Sequence, residues 1–429
     1  MKTKWLGVVC LGLAMLLASG CELTKDPKSL MSVPHLPAEK ENLKGLIMSA
    51  LPEGASIIRP RNAKDTSAIR MRDLNQDGVK EAIVFYSTPE QDVRIHGMIW
   101  EYSKETWTKK MEFDGEGTDL DSFELLDLTN DGNIELIVGY ANADQEVQKG
   151  LVVYSYQNNQ LEKLLEKPYT SYVVNDLDGD GSNELTIVML KPNQTSTITS
   201  MRYAEGKFKD IGSLTLDPFV NTYYNVVAGE AAPGRKAVFI DAMVGAHSAY
   251  TDVVVLENDQ LRKVVSDQQT YKPQPVPSQD INGDGIIEIG MMETPKGWEH
   301  VNLPDMLWFH SFYQWDGADG LKFIALQYRD PYERFYFNFP SDWRNRVTLD
   351  IRSKQGEYLH FVDVDTNETL AEIEFFPTGK WEANKKGWTE LSRSEDRVVA
   401  FRSKYELTAK KSKLEMELPK SNKESGDRP

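Results

Sequence analysis

Cysteine and histidine are scarce in this 429-residue chain, which has two cysteines and six histidines. Two cysteines cannot build the disulfide framework on which many small secreted domains depend. No histidine pair has the spacing of a His-Glu-x-x-His zinc site, and neither a Gly-x-Ser-x-Gly motif nor a phosphate-cradling glycine loop is present. The sequence therefore favours a protein without catalytic activity, although it leaves the question open.

Positive charge is also in deficit, because 49 lysines and arginines face 66 aspartates and glutamates, for a formal net charge of −17. Such a surplus argues against binding to nucleic acid and against docking on anionic lipid head groups. Long apolar runs are missing except near the start, where residues 6–18 follow Lys2 and Lys4. This run is too short to span a bilayer comfortably, so residues 1–20 are predicted to be a signal peptide.

The end of that segment carries small residues before a cysteine, in the order Leu17-Ala18-Ser19-Gly20-Cys21. It resembles the lipobox of bacterial lipoproteins. That resemblance implies attachment of acyl chains such as palmitate to Cys21 and cleavage before it, giving an extracytoplasmic protein anchored to the cell membrane. The alternative is an ordinary signal peptide with an incidental cysteine. Residues 21–37 are polar, contain proline, and are predicted to be a tether.

One acidic motif dominates the rest of the chain. In its fullest form, Asp176-Leu-Asp178-Gly-Asp180-Gly181-Ser-Asn-Glu184, three carboxylates lie two residues apart and a β-branched run follows the glutamate. Alternate residues of a tight loop can direct their oxygens at one point, and Ca²⁺ takes six to eight oxygens at about 2.3–2.6 Å. Gly181 permits a backbone turn that a side chain would obstruct. The motif therefore predicts a cation loop that leads into a β-strand.

The motif recurs at intervals of about 50 residues, which is the length of a propeller blade. Copies begin at Asp73, Asp127 and Asp280, and the last interval is twice as long as the others. A degraded copy within it keeps Gly234 and the following strand but lacks the acidic residues. A second pattern, a strand followed by a polar turn and then by an apolar and a basic residue, recurs five times out of phase with the loops. Both patterns predict five repeats.

Two other loop families fit poorly. An EF-hand needs a glutamate at the twelfth position and flanking helices, and a dockerin loop also needs a following helix, whereas here the glutamate is ninth and a β-run follows. The loops resemble the FG-GAP/VCBS repeats of integrin-like β-propellers. That resemblance implies Ca²⁺ bound by side chains at positions one, three, five and nine and by a backbone carbonyl at position seven.

Carried onto this sequence, the resemblance implies four sets of metal ligands. They are Asp73, Asn75, Asp77, Val79 and Glu81 in loop one; Asp127, Thr129, Asp131, Asn133 and Glu135 in loop two; Asp176, Asp178, Asp180, Ser182 and Glu184 in loop three; and Asp280, Asn282, Asp284, Ile286 and Glu288 in loop five. The alternative is that the acids cap turns without any metal. It applies most to loop two, whose third position is the neutral Thr129.

The predicted fold class is all-β, with an about five-bladed β-propeller that carries Asp-rich calcium loops and a small, mostly-β C-terminal domain. We expect the propeller to close through pairing of Ile57 and Ile58 with residues 323–326. The predicted segments after the tether are a short helix and linker at 38–54, the propeller at 55–330, the C-terminal domain at 331–416 and a disordered tail at 417–429.

These features predict a binding or assembly module of the bacterial cell envelope, with an unknown protein or glycan partner. The competing hypothesis is a polysaccharide-binding or polysaccharide-active component. The aromatic segment 298–315 could form a sugar-binding face or part of the core, and His310 within it is expected to be a strand residue. Tyr223 and Tyr224, in the repeat without a cation loop, could belong to a partner site.

Overall fold

We analysed a computed structural model of the chain, which describes residues 38–62, 65, 67–88, 92–142, 145–404 and 408–410. The predicted signal peptide, Cys21, the tether and the tail at 417–429 lie outside these residues. Within the described ranges, no helix combines the length and the apolar character needed to cross a bilayer.

The described residues form six antiparallel sheets. Sheet one contains β1 (Ser56–Ile58), β2 (Ile69–Arg72), β3 (Glu81–Ser87), β4 (Ile95–Ser103) and β5 (Thr106–Asp114). Sheet two contains β6 (Asp119–Leu126), β7 (Glu135–Asn142), β8 (Gln145–Gln157) and β9 (Gln160–Tyr169). Sheet three contains β10 (Ser171–Asn175), β11 (Glu184–Lys191), β12 (Thr195–Ala204) and β13 (Lys207–Leu216).

The remaining sheets complete the strand order. Sheet four contains β14 (Thr222–Ala232), β15 (Arg235–Gly245), β16 (Ser248–Glu257) and β17 (Gln260–Lys263). Sheet five contains β18 (Ile289–Glu293), β19 (Phe309–Trp315), β20 (Leu321–Arg329), β21 (Tyr336–Asn338) and β27 (Thr408–Lys410). Sheet six contains β22 (Val347–Leu349), β23 (Tyr358–Asp363), β24 (Thr369–Pro377), β25 (Thr389–Arg393) and β26 (Arg397–Ser403). The α-helices are α1 (Ala38–Ala50), α2 (Asp267–Thr270) and α3 (Thr378–Asn384).

The strands of sheet one show why these apolar runs form sheets that are buried on both faces. Successive side chains of a strand point to opposite faces. In β3, Ile83 and Phe85 pack towards sheet two, whereas Ala82, Val84 and Tyr86 pack on the other face, which α1 covers. Shared cores of this kind also join sheets two and three, three and four, and four and five. The chain is therefore a succession of blade-like sheets packed face to face.

Tight turns connect the last two strands of the first four sheets. Both central residues have positive φ in each turn, as in Lys104 and Glu105 (52° and 63°) and in Asn158 and Asn159 (53° and 58°). Two such residues define a type I′ turn, whose twist matches that of the flanking strands. These hairpins and the β19–β20 hairpin are the five hairpins that the second sequence pattern predicts.

The predicted closure of a propeller ring is wrong. Ile57 and Ile58 pair with Tyr86 and Phe85 of β3, within sheet one. The β20 strand pairs instead with β19 and β21. Among the described residues, no hydrophobic cluster contains residues of both sheet one and sheet five.

Other elements cover the two terminal faces. Leu43 and Ile47 of α1 are buried against sheet one, on the face that points away from sheet two. Sheet six packs on sheet five, where Phe309 and Phe337 contribute to the core that the two sheets share. The array is therefore open, with both ends covered.

Sheet five extends across the domain boundary predicted at residue 330, and that boundary stays a prediction. β21 pairs with β20, and β27 pairs with β21, so two strands from the predicted C-terminal domain extend the edge of sheet five. The separate C-terminal sheet is confined to Val347–Ser403. In this part of the chain, Phe335, Phe337 and Phe339 are buried in the core that sheets five and six share.

Candidate metal centres

The four acidic loops share one backbone conformation. Their sixth residues, Gly78, Gly132, Gly181 and Gly285, have φ between 80° and 91°, a region that favours glycine. The first aspartate folds the loop by accepting backbone N–H groups. For example, Gly78 N donates to Asp73 Oδ2 at 3.0 Å. Loop one connects β2 and β3, loop two connects β6 and β7, loop three connects β10 and β11, and loop five immediately precedes β18.

The glutamate at the ninth position is the most distinctive feature of each loop. Glu81, Glu135, Glu184 and Glu288 are all fully buried. Each accepts the backbone N–H of the second loop residue at 2.8 Å. Burial raises the pKa of Glu81, Glu135 and Glu288 to about 7 and also raises that of Glu184. An ionised carboxylate in such a position is costly unless a cation or donors compensate it.

Carboxylates converge at three of the loops. Acidic oxygens lie within 4.8 Å of one another in three triplets: Asp77, Glu81 and Glu101; Asp176, Asp178 and Glu184; and Asp280, Asp284 and Glu288. Loop two forms no such triplet among the described residues. Groups that supply only oxygen suit hard cations such as Ca²⁺ and Mg²⁺. The acidic groups could therefore hold a metal ion at loops one, three and five.

Loop one provides a test of this fit. Glu81 Oε1 and Asp73 Oδ1 are buried and accept no hydrogen bond. Buried polar atoms in native proteins are nearly always paired, so an unpaired carboxylate oxygen needs an explanation. A bound cation would provide one, and the residues of loop one therefore fit a metal.

The remaining predicted ligands take part in hydrogen bonds within the loops. Asn75 Nδ2 donates to Asp77 Oδ2 at 3.0 Å, and Asn282 makes the same contact with Asp284. Thr129 Oγ1 instead donates to Glu135 Oε1 at 3.4 Å. The seventh residues, Val79, Asn133, Ser182 and Ile286, donate their N–H to the fifth-position aspartate. Metal coordination by their carbonyl groups stays a prediction.

The loop motif does not identify three further residues at these sites, because they lie on the neighbouring strand. Glu101 is paired directly with Glu81. Arg202 Nη2 contacts Glu184 Oε1 at 2.7 Å and Asp178 Oδ2 at 2.5 Å. Gln314 Nε2 donates to Glu288 Oε1 and to Asp284 Oδ2, both at 2.9 Å. Counting the register of each hairpin would have placed these residues beside the glutamates.

The loops also contact one another along one side of the array. We call them together the loop row. Ile134 N of loop two donates to Leu74 O of loop one at 2.8 Å, and Asn183 Nδ2 of loop three donates to Asp127 O of loop two at 2.9 Å. Farther along, Lys236 Nζ contacts Asp176 Oδ2 of loop three at 3.2 Å. Each acidic loop thus lies between sheets as well as within one.

Sheet four has no acidic loop, and a buried lysine side chain lies against it instead. Its first two strands are joined by a tight turn at Gly234 instead of an acidic loop. The fully buried Lys272 contacts Asp241 Oδ1 at 3.2 Å and Thr251 Oγ1 at 2.9 Å, and it donates to two backbone carbonyls. Tyr223, considered above for a partner site, is buried in the core between sheets three and four.

The aromatic segment 298–315 contributes to the core. Trp298 and Trp315 are buried, and Trp298 Nε1 donates to Leu349 O of sheet six at 2.8 Å. His310 lies in β19, as predicted, and its Nδ1 has no partner. Burial, together with nearby Arg329, lowers its pKa to about 3, so it is neutral at physiological pH.

Comparison with known proteins gives weak similarities only. Neither a family model nor a curated protein matches the chain. Among solved structures, the chain is similar to rhamnogalacturonan lyase YesW, with a TM-score of 0.33 at 13% identity over 71% of this chain and 69% of that one.

Two further structures are similar at the same level. The Bacillus licheniformis rhamnogalacturonan lyase PL11 has a TM-score of 0.31 at 9% identity, over 82% of this chain and 75% of that one. The β-propeller domain of the Trilobed protease from Pyrococcus furiosus has a TM-score of 0.31 at 10% identity, over 72% of this chain and 89% of that one. These similarities are too weak to assign a family or a substrate to this chain.

Proposed function

We propose that this protein is a lipid-anchored, extracytoplasmic binding or assembly module of the bacterial cell envelope, and that Ca²⁺ in its acidic loops stabilises it. One observation carries the calcium part of the proposal. Glu81 is fully buried and belongs to a carboxylate cluster; one of its oxygens accepts the N–H of Leu74, and the other has no partner.

Calcium suits these loops because of their donors and their geometry. Every available ligand is an oxygen, and Ca²⁺ accepts the irregular arrangements that Mg²⁺, with its strict octahedral preference, does not. With Ca²⁺ near 1 mM and a Kd of about 10⁻⁴ M, each occupied site would stabilise the fold by about 1.4 kcal/mol. Even one or two such sites would contribute a noticeable part of the stability of a domain.

Contacts within the loop row would extend the stabilisation by Ca²⁺ from one sheet to the next. A cation that fixes loop one also fixes Leu74, whose carbonyl accepts the N–H of Ile134 in loop two. Calcium would therefore hold neighbouring sheets at a constant spacing. A rigid array of this kind presents a broad surface of constant shape, which suits binding to an envelope component.

The membrane anchor is the second part of the proposal. An anchor at Cys21 followed by the polar segment 21–37 would hold the sheets at a distance from the membrane, and the net charge of −17 disfavours contact with anionic head groups. Two or more acyl chains are needed for stable anchoring. The mature protein should fractionate with membranes, and Cys21→Ser should release it to the medium or leave it as precursor. A mature, membrane-bound Cys21→Ser protein would contradict this anchor.

Binding can be tested with the mature protein immobilised through a C-terminal tag. We expect at least one envelope polymer or protein to be retained in 1 mM Ca²⁺ and to be released by EGTA, because the chelator loosens the loops. A matched column carrying Glu81→Gln should retain less of the same component. Equal retention by both columns in both buffers would contradict a calcium-dependent binding module.

A further inference from the structure

The residue that faces the ninth-position glutamate from the next strand differs in charge among the loops. β3 pairs with β4 so that Glu81 is opposite Glu101. The pairing of Leu185 with Met201 places Arg202 beside Glu184, and the pairing of Ile289 with Tyr313 places Gln314 beside Glu288. In loops one, three and five this single position, which we call the facing position, therefore carries an acid, a base or an amide. It lies outside the nine-residue motif.

In loop three the facing residue already supplies a cation. The Arg202 guanidinium donates to Glu184 Oε1 through Nε at 2.9 Å and through Nη2 at 2.7 Å. It also contacts Asp178 Oδ2 at 2.5 Å and Asp180 Oδ2 at 3.3 Å. A planar guanidinium is well suited to such multiple contacts with carboxylates. Three of the four acidic ligands predicted for loop three thus have a basic partner.

The fourth acidic ligand of loop three has a basic partner as well. Asp176 Oδ2 lies 3.2 Å from Nζ of Lys236, which belongs to β15 of sheet four. Loop three therefore has more acidic residues than any other loop, yet two protein cations compensate them. No oxygen of its predicted acidic ligands is among the buried polar atoms without a partner in the described residues.

Loop one has the opposite arrangement. Glu101 adds a carboxylate to those of Asp77 and Glu81, within 4.8 Å of both. Lys110 contacts Glu101 Oε1 at 2.8 Å, so one oxygen of Glu101 is engaged. Glu81 Oε1 and Asp73 Oδ1 nevertheless remain buried without a donor. Loop one thus retains carboxylate oxygens that no protein donor satisfies.

We propose that the facing position decides which loops bind calcium: Arg202 replaces the metal in loop three, and Glu101 is an additional ligand of the principal calcium site in loop one. The proposal rests on the calcium binding proposed above. Loop five, whose facing residue Gln314 donates to both Asp284 and Glu288, falls between these extremes. Its site should be weaker than that of loop one, because the amide competes for the oxygens that a metal would use.

The test counts bound calcium on the mature protein by equilibrium dialysis. Three variants are compared, Glu101→Gln, Arg202→Gln and Asp178→Asn, of which the first two change the same position in different sheets. We expect Glu101→Gln to weaken the tightest site by about tenfold or more. Asp178→Asn should leave the number of bound ions unchanged, and Arg202→Gln should raise it by one because loop three becomes available.

Each opposite result overturns a stated part of the proposal. A lost ion in Asp178→Asn would show that wild-type loop three binds calcium in spite of Arg202. An unchanged tightest site in Glu101→Gln would remove Glu101 from the ligands. An unchanged ion count in Arg202→Gln would show that the arginine does not substitute for a metal.

Melting in EGTA tests the role proposed for Arg202 independently of the proposed calcium-dependent function. If the wild-type protein binds no calcium, the proposed function and the assignment of loop one both fail. The role of Arg202 is then decided by melting in EGTA. Arg202→Gln should lower the melting temperature because it leaves the carboxylates of loop three uncompensated, and adding Asp178→Asn should restore part of the loss. An unchanged melting temperature in Arg202→Gln would show that Arg202 does not act as an internal cation for loop three.

Discussion

At the scale of single residues, this protein compensates buried charge in more than one way. Lys272 and Asp241 are both fully buried and form an ion pair, with Asp241 in β15 of sheet four. Arg202 compensates Glu184 at loop three, whereas Glu81 at loop one has an oxygen that no protein group satisfies. A buried charge is costly unless a partner of opposite charge or hydrogen bonds offset its desolvation. Glu81, which has a carboxylate oxygen without a protein partner, is therefore the residue that indicates a ligand.

Removal of one partner of the buried pair should be severe. Lys272→Met leaves Asp241 buried without its cation, and we expect a loss of about 3–5 kcal/mol in the free energy of unfolding. Chemical denaturation measures this loss, with Lys207→Met, at an exposed position, as the matched control. If the two variants unfold at the same denaturant concentration, the pair does not stabilise the fold.

His310 predicts a pH dependence. Its folded-state pKa of about 3 is lower than that of an unfolded histidine, about 6.5. The unfolded state therefore binds more protons between these values, and stability falls as the pH is lowered below 6.5. At pH 5 the wild type should lose about 2 kcal/mol more than His310→Gln, relative to pH 7. Parallel losses in the two proteins, measured by urea unfolding, would contradict a neutral His310.

At the scale of elements, the loops and hairpins follow from local sequence, but their neighbours do not. The acidic motif with its glycine predicts the loop, and the polar turns predict the hairpins, because each depends on a few adjacent residues. Glu101 and Arg202 lie about 20 residues from the glutamates that they face and reach them only through strand register. Their role at the sites could not be recognised without counting that register.

The helix α1 illustrates a second limit. Its apolar face and its flanking prolines predict a helix at this place, but nothing in the sequence says what the helix covers. In the structure Leu43 and Ile47 are buried against a face of sheet one that contains Trp100 and Met98. A strand that is apolar on both faces needs a cover on each, and the sequence does not say whether that cover is another blade or a helix.

This role of α1 can be tested by truncating its buried side chains. Leu43→Ala and Ile47→Ala should each lower the free energy of unfolding by about 2–5 kcal/mol, because each leaves a cavity against sheet one. Met48→Ala, at an exposed position of the same helix, is the control and should change little. Near-equal stability of all three variants would mean that α1 does not cover the sheet in solution.

At the scale of the whole molecule, the array of sheets is open rather than closed. Five repeats of blade length suggest a ring, but the first strand pairs within its own sheet and the ends are covered by α1 and by sheet six. Terminal covers are what a row of repeats needs when its last faces would otherwise meet water. The prediction of closure failed because a repeat count does not determine whether the ends meet.

Truncation after Asn338 tests the role of sheet six. The shortened chain keeps every acidic loop but exposes Phe309, Phe337 and Tyr328, which the shared core buries. Exposed apolar surface of this size promotes association, so the truncated protein should aggregate or form oligomers in light scattering. A ring closed between sheets one and five would not need sheet six, and a stable truncated monomer would therefore contradict the open array.

If metal in the acidic loops stabilises the array, thermal unfolding of the mature protein should depend on calcium. The melting temperature should be several degrees higher in 1 mM Ca²⁺ than in EGTA, and Mg²⁺ should raise it less, because Mg²⁺ demands a regular octahedral site. Glu81→Gln should reduce the increase, since it removes the buried carboxylate of loop one. A difference between Ca²⁺ and EGTA smaller than about 2 °C would contradict the claim.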